Sequence, residues 1–107
     1  MQRRVVITAP AENDLAQIHG YLADTVSAQR ADAELDRLLR TGRSLSSLSK
    51  RGKPSDVLAQ MGAPDYREML SGSYRIFYRV TDDFVLVAAI IHVSRDVHRM
   101  LRRRLRS

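Results

Sequence analysis

The chain has 107 residues, of which 44% are hydrophobic, no cysteine, and a net charge of +6. That length supplies one core and one domain, 1–107, and the absence of cysteine excludes both a disulfide framework and a thiolate zinc site. The apolar run after Arg3-Arg4 is only Val5-Val6-Ile7. It is too short for a signal-peptide core, and no stretch is long enough to span a bilayer, so a cytoplasmic protein without a membrane partner is expected.

Arg3 to Thr8 reads as a first strand. Thr8-Ala9-Pro10 then opens a helix, because Thr8 can cap it and Pro10 suits a first turn whose N–H groups lack intrahelical partners. Ala11, Leu15, Ile18 and Leu22 recur at helical spacing and carry that helix to about Asp24, with Glu12 and Asp14 near its positive end. Ser27 is the expected cap of a second helix. Its stripe runs through Ala28, Ala31, Leu35, Leu38, Leu39, Gly42, Leu45 and Leu48. The short link between the two implies an antiparallel helical hairpin. Gly42 marks either the close approach of a neighbour or an early end to the helix.

Lys50 to Asp56 has the composition of a loop, and Val57 to Met61 reads as a turn or brief helix. Three strands follow, Asp65–Leu70, Tyr74–Val80 and Phe84–Val93. The intervening Ser71-Gly72-Ser73 and Thr81-Asp82-Asp83 make them antiparallel neighbours. In the second strand Tyr74, Ile76, Tyr78 and Val80 share one face, while Arg75, Phe77 and Arg79 share the other. The third is apolar almost throughout and is expected in the centre of the sheet, covered on both sides. The predicted fold is α+β in two layers: a two-helix hairpin on a mainly antiparallel four-stranded sheet, with a short basic C-terminal helix.

Charge is distributed unevenly. Residues 1–94 carry 12 Lys+Arg against 11 Asp+Glu, and residues 95–107 carry six Arg against Asp96 alone. A cationic tail that includes Arg99, Arg102 and Arg103 suits nucleic acid or an acidic partner, and equally suits a solvated helix end. Arg67, Arg75, Arg79 and Arg95 either form an anion-binding face or pair with Asp65, Glu68 and Asp96 on neighbouring segments, with Arg79 the foremost candidate for a structural role. His92 ends an apolar strand and is either a hydrogen-bonded structural residue or a functional one. His19 is expected at a helix surface or boundary, and His98 beside the tail is either exposed, a donor to phosphate or an acid. There is no phosphate-cradling Gly-rich loop, no Ser/His/Asp series and no acidic cluster with metal-ligand spacing, so no cofactor or metal is expected.

The layout resembles the ParE/RelE superfamily of toxins from type II toxin–antitoxin systems over nearly the whole chain. The resemblance rests on Ile7-Thr8-Ala9-Pro10 through Leu15-Ala16-Gln17-Ile18, on Asp65-Tyr66-Arg67-Glu68-Met69, on Tyr74-Arg75-Ile76-Phe77-Tyr78-Arg79-Val80 and on His92-Val93-Ser94-Arg95-Asp96. The ParE-like branch is the better match. It implies a toxin without chemistry of its own, which inhibits DNA gyrase, is neutralised by a cognate antitoxin, and meets operator DNA only through that antitoxin. Arg67, Arg75, Arg79, His92, Arg95, Arg99, Arg102 and Arg103 are then the expected contacts to target or antitoxin. The RelE-like branch implies instead a ribosome-dependent mRNA endonuclease, for which Lys50, Lys53, Arg75, Arg95 and His98 are the matching residues. Residues 99–107 contain no Tyr and no His to complete that set. An inactive relative that only binds its antitoxin is a third possibility.

Overall fold

The computed structural model describes residues 2–106, with the side chain of Arg106 outside that description, so the part of Arg106 in the cationic tail lies beyond the described residues. The chain runs β1 (Arg4–Ile7), α1 (Ala9–Thr25), α2 (Ala28–Ser44), β2 (Lys53–Pro54), α3 (Asp56–Gln60), β3 (Tyr66–Ser71), β4 (Tyr74–Val80), β5 (Phe84–His92) and α4 (Val97–Arg106). The caps act as their sequence implies. Thr8 accepts from the Ala11 N–H, Ser27 from the Arg30 N–H and Ser55 from the Leu58 N–H, each arrangement supplying about 1 kcal/mol. The second apolar stripe continues to Leu48, but α2 itself ends at Ser44. A β-carbon at Gly42 would lie 3.9 Å from Ile7 Cδ1, an ordinary contact, so no close approach demands glycine there.

The sheet order is β1-β5-β4-β3-β2, with β1 parallel to β5 and the other pairs antiparallel. It has five strands where the sequence predicts four. The added strand is Lys53–Pro54, set opposite Glu68 and Arg67. Its Gly, Lys, Pro and Ser neighbours read as a loop, and Pro54 is tolerated because the strand lies at an edge, where one missing donor disturbs no second ladder. Between β3 and β4 the loop tightens to Gly72-Ser73, with Ser71 opposite Tyr74. Gly72 has φ +59, the left-handed backbone that the first loop residue of a tight hairpin requires.

β5 contains a bulge that sets where everything around it points. Phe77 lies opposite Ala89 but Tyr78 lies opposite Val87, so Ala88 is the extra residue. Side chains alternate along a strand, and one inserted residue reverses the alternation beyond it. Val85, Val87 and Ile90 therefore all face α1 and α2, in a core with Ala11, Leu15, Leu38, Leu45, Tyr74, Ile76 and Tyr78. Ala89 and Ile91 face the other way, into a second core with Leu58, Phe77, Val97 and Leu101. The short helices α3 and α4 thus form a partial third layer, beyond the two layers predicted. The apolar content of Phe84–His92 is explained by burial on both faces.

Asp14 fixes the bulge to both layers. It projects from the buried side of α1 and accepts the Ile90 N–H at 3.0 Å. It also receives both guanidinium nitrogens of Arg104, each at 2.9 Å. Arg104 donates in addition to the Ala88 carbonyl at 2.9 Å, the carbonyl of the bulged residue. Hydrogen bonding to Asp14 raises the proton affinity of the Arg104 guanidinium, against the opposing cost of burial.

Candidate binding clefts

Two clefts flank the sheet. The first, of about 460 Å³, lies between the second half of α1, the end of β5 and α4. Ile18, Ile90, Ile91 and Met100 give it apolar walls, and Gln17, Tyr21, Tyr74, His92, Ser94 and Arg95 bring polar groups to it. Polar groups thus converge on a partly apolar hollow, a make-up compatible with a binding site. Tyr21 is 66% exposed, an unusual position for a large aromatic ring.

His92 is held by the turn that follows it. The Ser94 N–H donates to Nδ1 at 3.0 Å, and Ser94 Oγ lies 2.7 Å from the same nitrogen. A backbone N–H can only donate, so Nδ1 is the acceptor and the ring hydrogen resides on Nε2. Tyr74 meets the imidazole edge-on, with ring centroids 5.2 Å apart. Burial, then the Glu34 carboxylate and Tyr21, push the Tyr74 phenol above its ordinary value, while Arg30 opposes them. Unfolded tyrosine ionises near pH 10, so ionisation favours the unfolded chain above that pH. The stability due to neutral Tyr74 is complete below about pH 10 and is lost as pH rises through the folded value. Ultraviolet difference titration of the wild type against Tyr74→Phe should therefore assign Tyr74 a phenolate that forms later than in free tyrosine. A midpoint at or below the free value would contradict this shielding.

The second cleft, of about 520 Å³, lies at the β2–β3 edge and is lined by Arg51, Gly52, Lys53, Glu68, Met69, Leu70 and Arg75. Its centre is already occupied by an ion pair. Arg75 donates to Glu68 Oε1 at 2.8 Å and lies over the Phe77 ring at 5.2 Å. Ser55 donates to Glu68 Oε2 at 2.9 Å. Both carboxylate oxygens are therefore engaged and Arg75 is fixed in place. The neighbouring loop is held just as firmly. Arg67 donates to the Gly52 carbonyl at 2.6 and 3.1 Å, and the Gly52 N–H donates to the buried Tyr78 hydroxyl at 2.9 Å.

The expected site residues are thus dispersed. Lys53 and Arg75 line the second cleft, His92 and Arg95 the first, and Lys50 is exposed in the loop beside Gly52. Arg79 lies opposite Tyr66, and its buried Nε has no hydrogen-bond partner among the described residues. His98, Arg99, Arg102 and Arg103 are exposed on α4. His19 bonds to Asp32 at 2.8 Å. Two features escaped the sequence reading although each left a trace. Asp14 falls on the same stripe as Ala11 and Ile18, so a carboxylate there was destined for the interior. The near-neutral tally of residues 1–94 conceals Arg37, Arg40, Arg43, Lys50, Arg51 and Lys53, a stretch without one acidic residue.

The fold is a small α+β domain with two clefts, in which an ion pair ties α1 and α4 to the strand bulge. The family model of the ParE toxin of type II toxin–antitoxin systems matches residues 5–97, and the chain belongs to that family. It is thus a toxin of a type II system within the ParE/RelE superfamily. Among solved structures it is similar to the chromosomal ParDE system from P. aeruginosa, at a TM-score of 0.74 and 16% identity, covering 85% of this chain and 96% of that one. It is also similar to the toxin–antitoxin complex RelBE2 from Mycobacterium tuberculosis, at a TM-score of 0.63 and 21% identity, covering 86% of this chain and 99% of that one. At these identities the structural likeness concerns the fold. No curated protein matches the chain.

Proposed function

We propose that this toxin arrests growth by binding and inhibiting DNA gyrase in the bacterial cytoplasm, and that a cognate antitoxin neutralises it. The observation that carries this reading is the separation of the residues a nuclease would need. Lys53 and Arg75 line one cleft, Arg95 lines the other, and His98 stands exposed on α4. RNA cleavage needs a proton acceptor and a proton donor at one phosphate. Arginine and lysine stabilise charge but transfer protons poorly at neutral pH, and the Glu68 carboxylate beside Arg75 repels phosphate.

The first cleft is where the antitoxin docks in this reading. A segment disordered when free folds on contact, sets apolar side chains against Ile18 and Met100, and presents a carboxylate to Arg95. The solved relatives named above include toxin–antitoxin complexes, which supports a partner of this kind. Sequence-specific recognition of operator DNA then comes through the antitoxin.

Gyrase supercoiling measured beside mRNA cleavage on translating ribosomes, with the same antitoxin-free protein, separates the alternatives. Lost supercoiling with intact mRNA is the expected result. Arg95→Ala should then weaken inhibition by about 30-fold, the cost of about 2 kcal/mol typical of an anchoring arginine. The grouping of Arg51, Lys53 and Arg75 around one cleft favours a second reading, ribosome-dependent mRNA cleavage. Cut mRNA with normal supercoiling would establish it. Neither effect would leave an antitoxin-binding relative without toxicity.

A further inference from the structure

We propose that the outer face of α4 binds the phosphate backbone of duplex DNA directly, whichever protein the toxin inhibits. The family match ends at residue 97, so nearly all of α4 lies beyond it. Yet α4 is firmly attached. Val97 and Leu101 are buried in the second core with Met100 packed against it, and Arg104 reaches through to Asp14 and the bulge carbonyl. This attachment determines which residues are left outside.

Positions 97, 100, 101 and 104 occupy one side of the helix, so 99, 102 and 103 fall on the opposite side, within about a third of its circumference. Arg99, Arg102 and Arg103 are all exposed, with His98 beside them and Arg95 in the preceding turn also exposed. None of the four arginines forms an ion pair among the described residues. Asp96, the one acidic residue from 95 onward, is engaged with the Arg99 backbone N–H at 3.1 Å. The result is a group of arginines carried on one side of a docked helix, with Arg99, Arg102 and Arg103 spanning about 6 Å along its axis, and without ion-pair partners among the described residues.

The make-up of this face selects duplex DNA among polyanions. A membrane-binding helix needs its apolar side free for lipid, and here that side is buried in the core. An acidic protein segment that folds on contact needs several apolar anchors among the cations, and among the described residues of α4 Leu105 alone is an exposed large apolar side chain, at the edge of this face. Single strands are held largely by stacking of bases on aromatic rings, and residues 95–107 contain no Phe, Tyr or Trp. Duplex phosphates need only cations, and arginine engages them bidentately.

Fluorescence anisotropy of the full-length, antitoxin-free toxin with a labelled random-sequence duplex of about 20 base pairs tests this. Four phosphate contacts predict a slope of log affinity on log salt of about −3.6, which is a loss of about 150-fold between 50 and 200 mM. Arg99→Gln/Arg102→Gln/Arg103→Gln should reduce the slope to about −1. Arg40→Gln/Arg43→Gln/Lys50→Gln removes the same charge from the other cationic stretch and should leave affinity within about twofold. Circular dichroism melts establish that each variant is folded, and Arg102→Gln alone, expected to change the slope by about 1, serves if the triple variant is not. No binding at low salt, an unchanged slope in the α4 variants, equal losses in both triple variants, or tighter binding of single-stranded RNA would each overturn the proposal. None of these results depends on gyrase, so failure here and failure of the target assignment are distinguishable.

Discussion

Replacing Asp14 with alanine should lower folding stability by about 3 kcal/mol, detected as a fall in the urea midpoint and in Tm by about 10–20 °C. Three donors converge on this carboxylate, the Ile90 N–H and two nitrogens of Arg104. Asp14 itself is only 8% exposed. Its loss leaves the Ile90 amide buried without an acceptor, at about 1–3 kcal/mol, and takes from Arg104 its counter-charge. The Arg104 side chain is 27% exposed and still donates to Ala88. This places the expected cost at the lower end of the range for a broken buried pair.

The size of that loss does not equal the worth of the pair. Removing two charges from water offsets much of their attraction, so a well-packed apolar replacement of both partners often comes close to neutral. A double-mutant cycle with Arg104→Ala isolates the coupling. Asp14→Asn keeps an oxygen for Ile90 while losing the charge, and should cost less than alanine. Amide exchange at Ile90 should quicken in Asp14→Ala, which removes that acceptor, and change less in Asp14→Asn, which keeps one. If Asp14→Ala stays within about 1 kcal/mol of wild type, Val97 and Leu101 alone dock α4 and the ion pair is passive.

Gly52→Ala should cost about 3 kcal/mol and displace the loop that carries Lys50 and Lys53, combining overpacking with a lost buried hydrogen bond. A β-carbon at position 52 would lie 2.5 Å from the Glu68 carbonyl oxygen and 2.8 Å from the Tyr78 hydroxyl. Neither neighbour can yield cheaply. Glu68 O belongs to β3 where it pairs with β2, and Tyr78 is completely buried. Moving the loop instead breaks the Gly52 N–H bond to Tyr78 and the Arg67 bonds to the Gly52 carbonyl. Tyr78→Phe removes only the hydroxyl, so it should relieve part of the clash when combined with Gly52→Ala. Wild-type stability in the single Gly52→Ala variant would mean that β2 adapts freely and that this tight approach has no energetic role.

Much of the fold was legible because it rests on local rules. Thr8, Ser27 and the helical stripes place the starts of α1 and α2 and the end of α1 to within a residue, since capping and amphipathic spacing act within a few turns, whereas the second stripe runs past the end of α2 at Ser44. The alternation of Tyr74, Ile76 and Tyr78 with Arg75 and Phe77 divides β4 between its two cores for the same reason. Ala88 was not legible. In a run that is apolar on both faces, an inserted residue leaves no break in the pattern, and only pairing with β4 reveals it. β2 was hidden as well, because two residues become a strand only when β3 lies beside them.

The candidate site divides along the same line. The sequence by itself determined the helical and strand faces, the cationic tail and the resemblance to the ParE/RelE superfamily, because periodicity, capping and charge belong to neighbouring residues. Only the tertiary structure decided that Arg75 is held by Glu68, that Arg67 supports a loop, and that Arg95 and Lys53 line different clefts. It alone brought Arg104 to Asp14, 90 residues away, and so separated Arg104 from Arg99, Arg102 and Arg103, which face solvent. Arginines look alike in a sequence. Their roles differ because burial and the nearest carboxylate or carbonyl are set by packing between segments far apart in the chain.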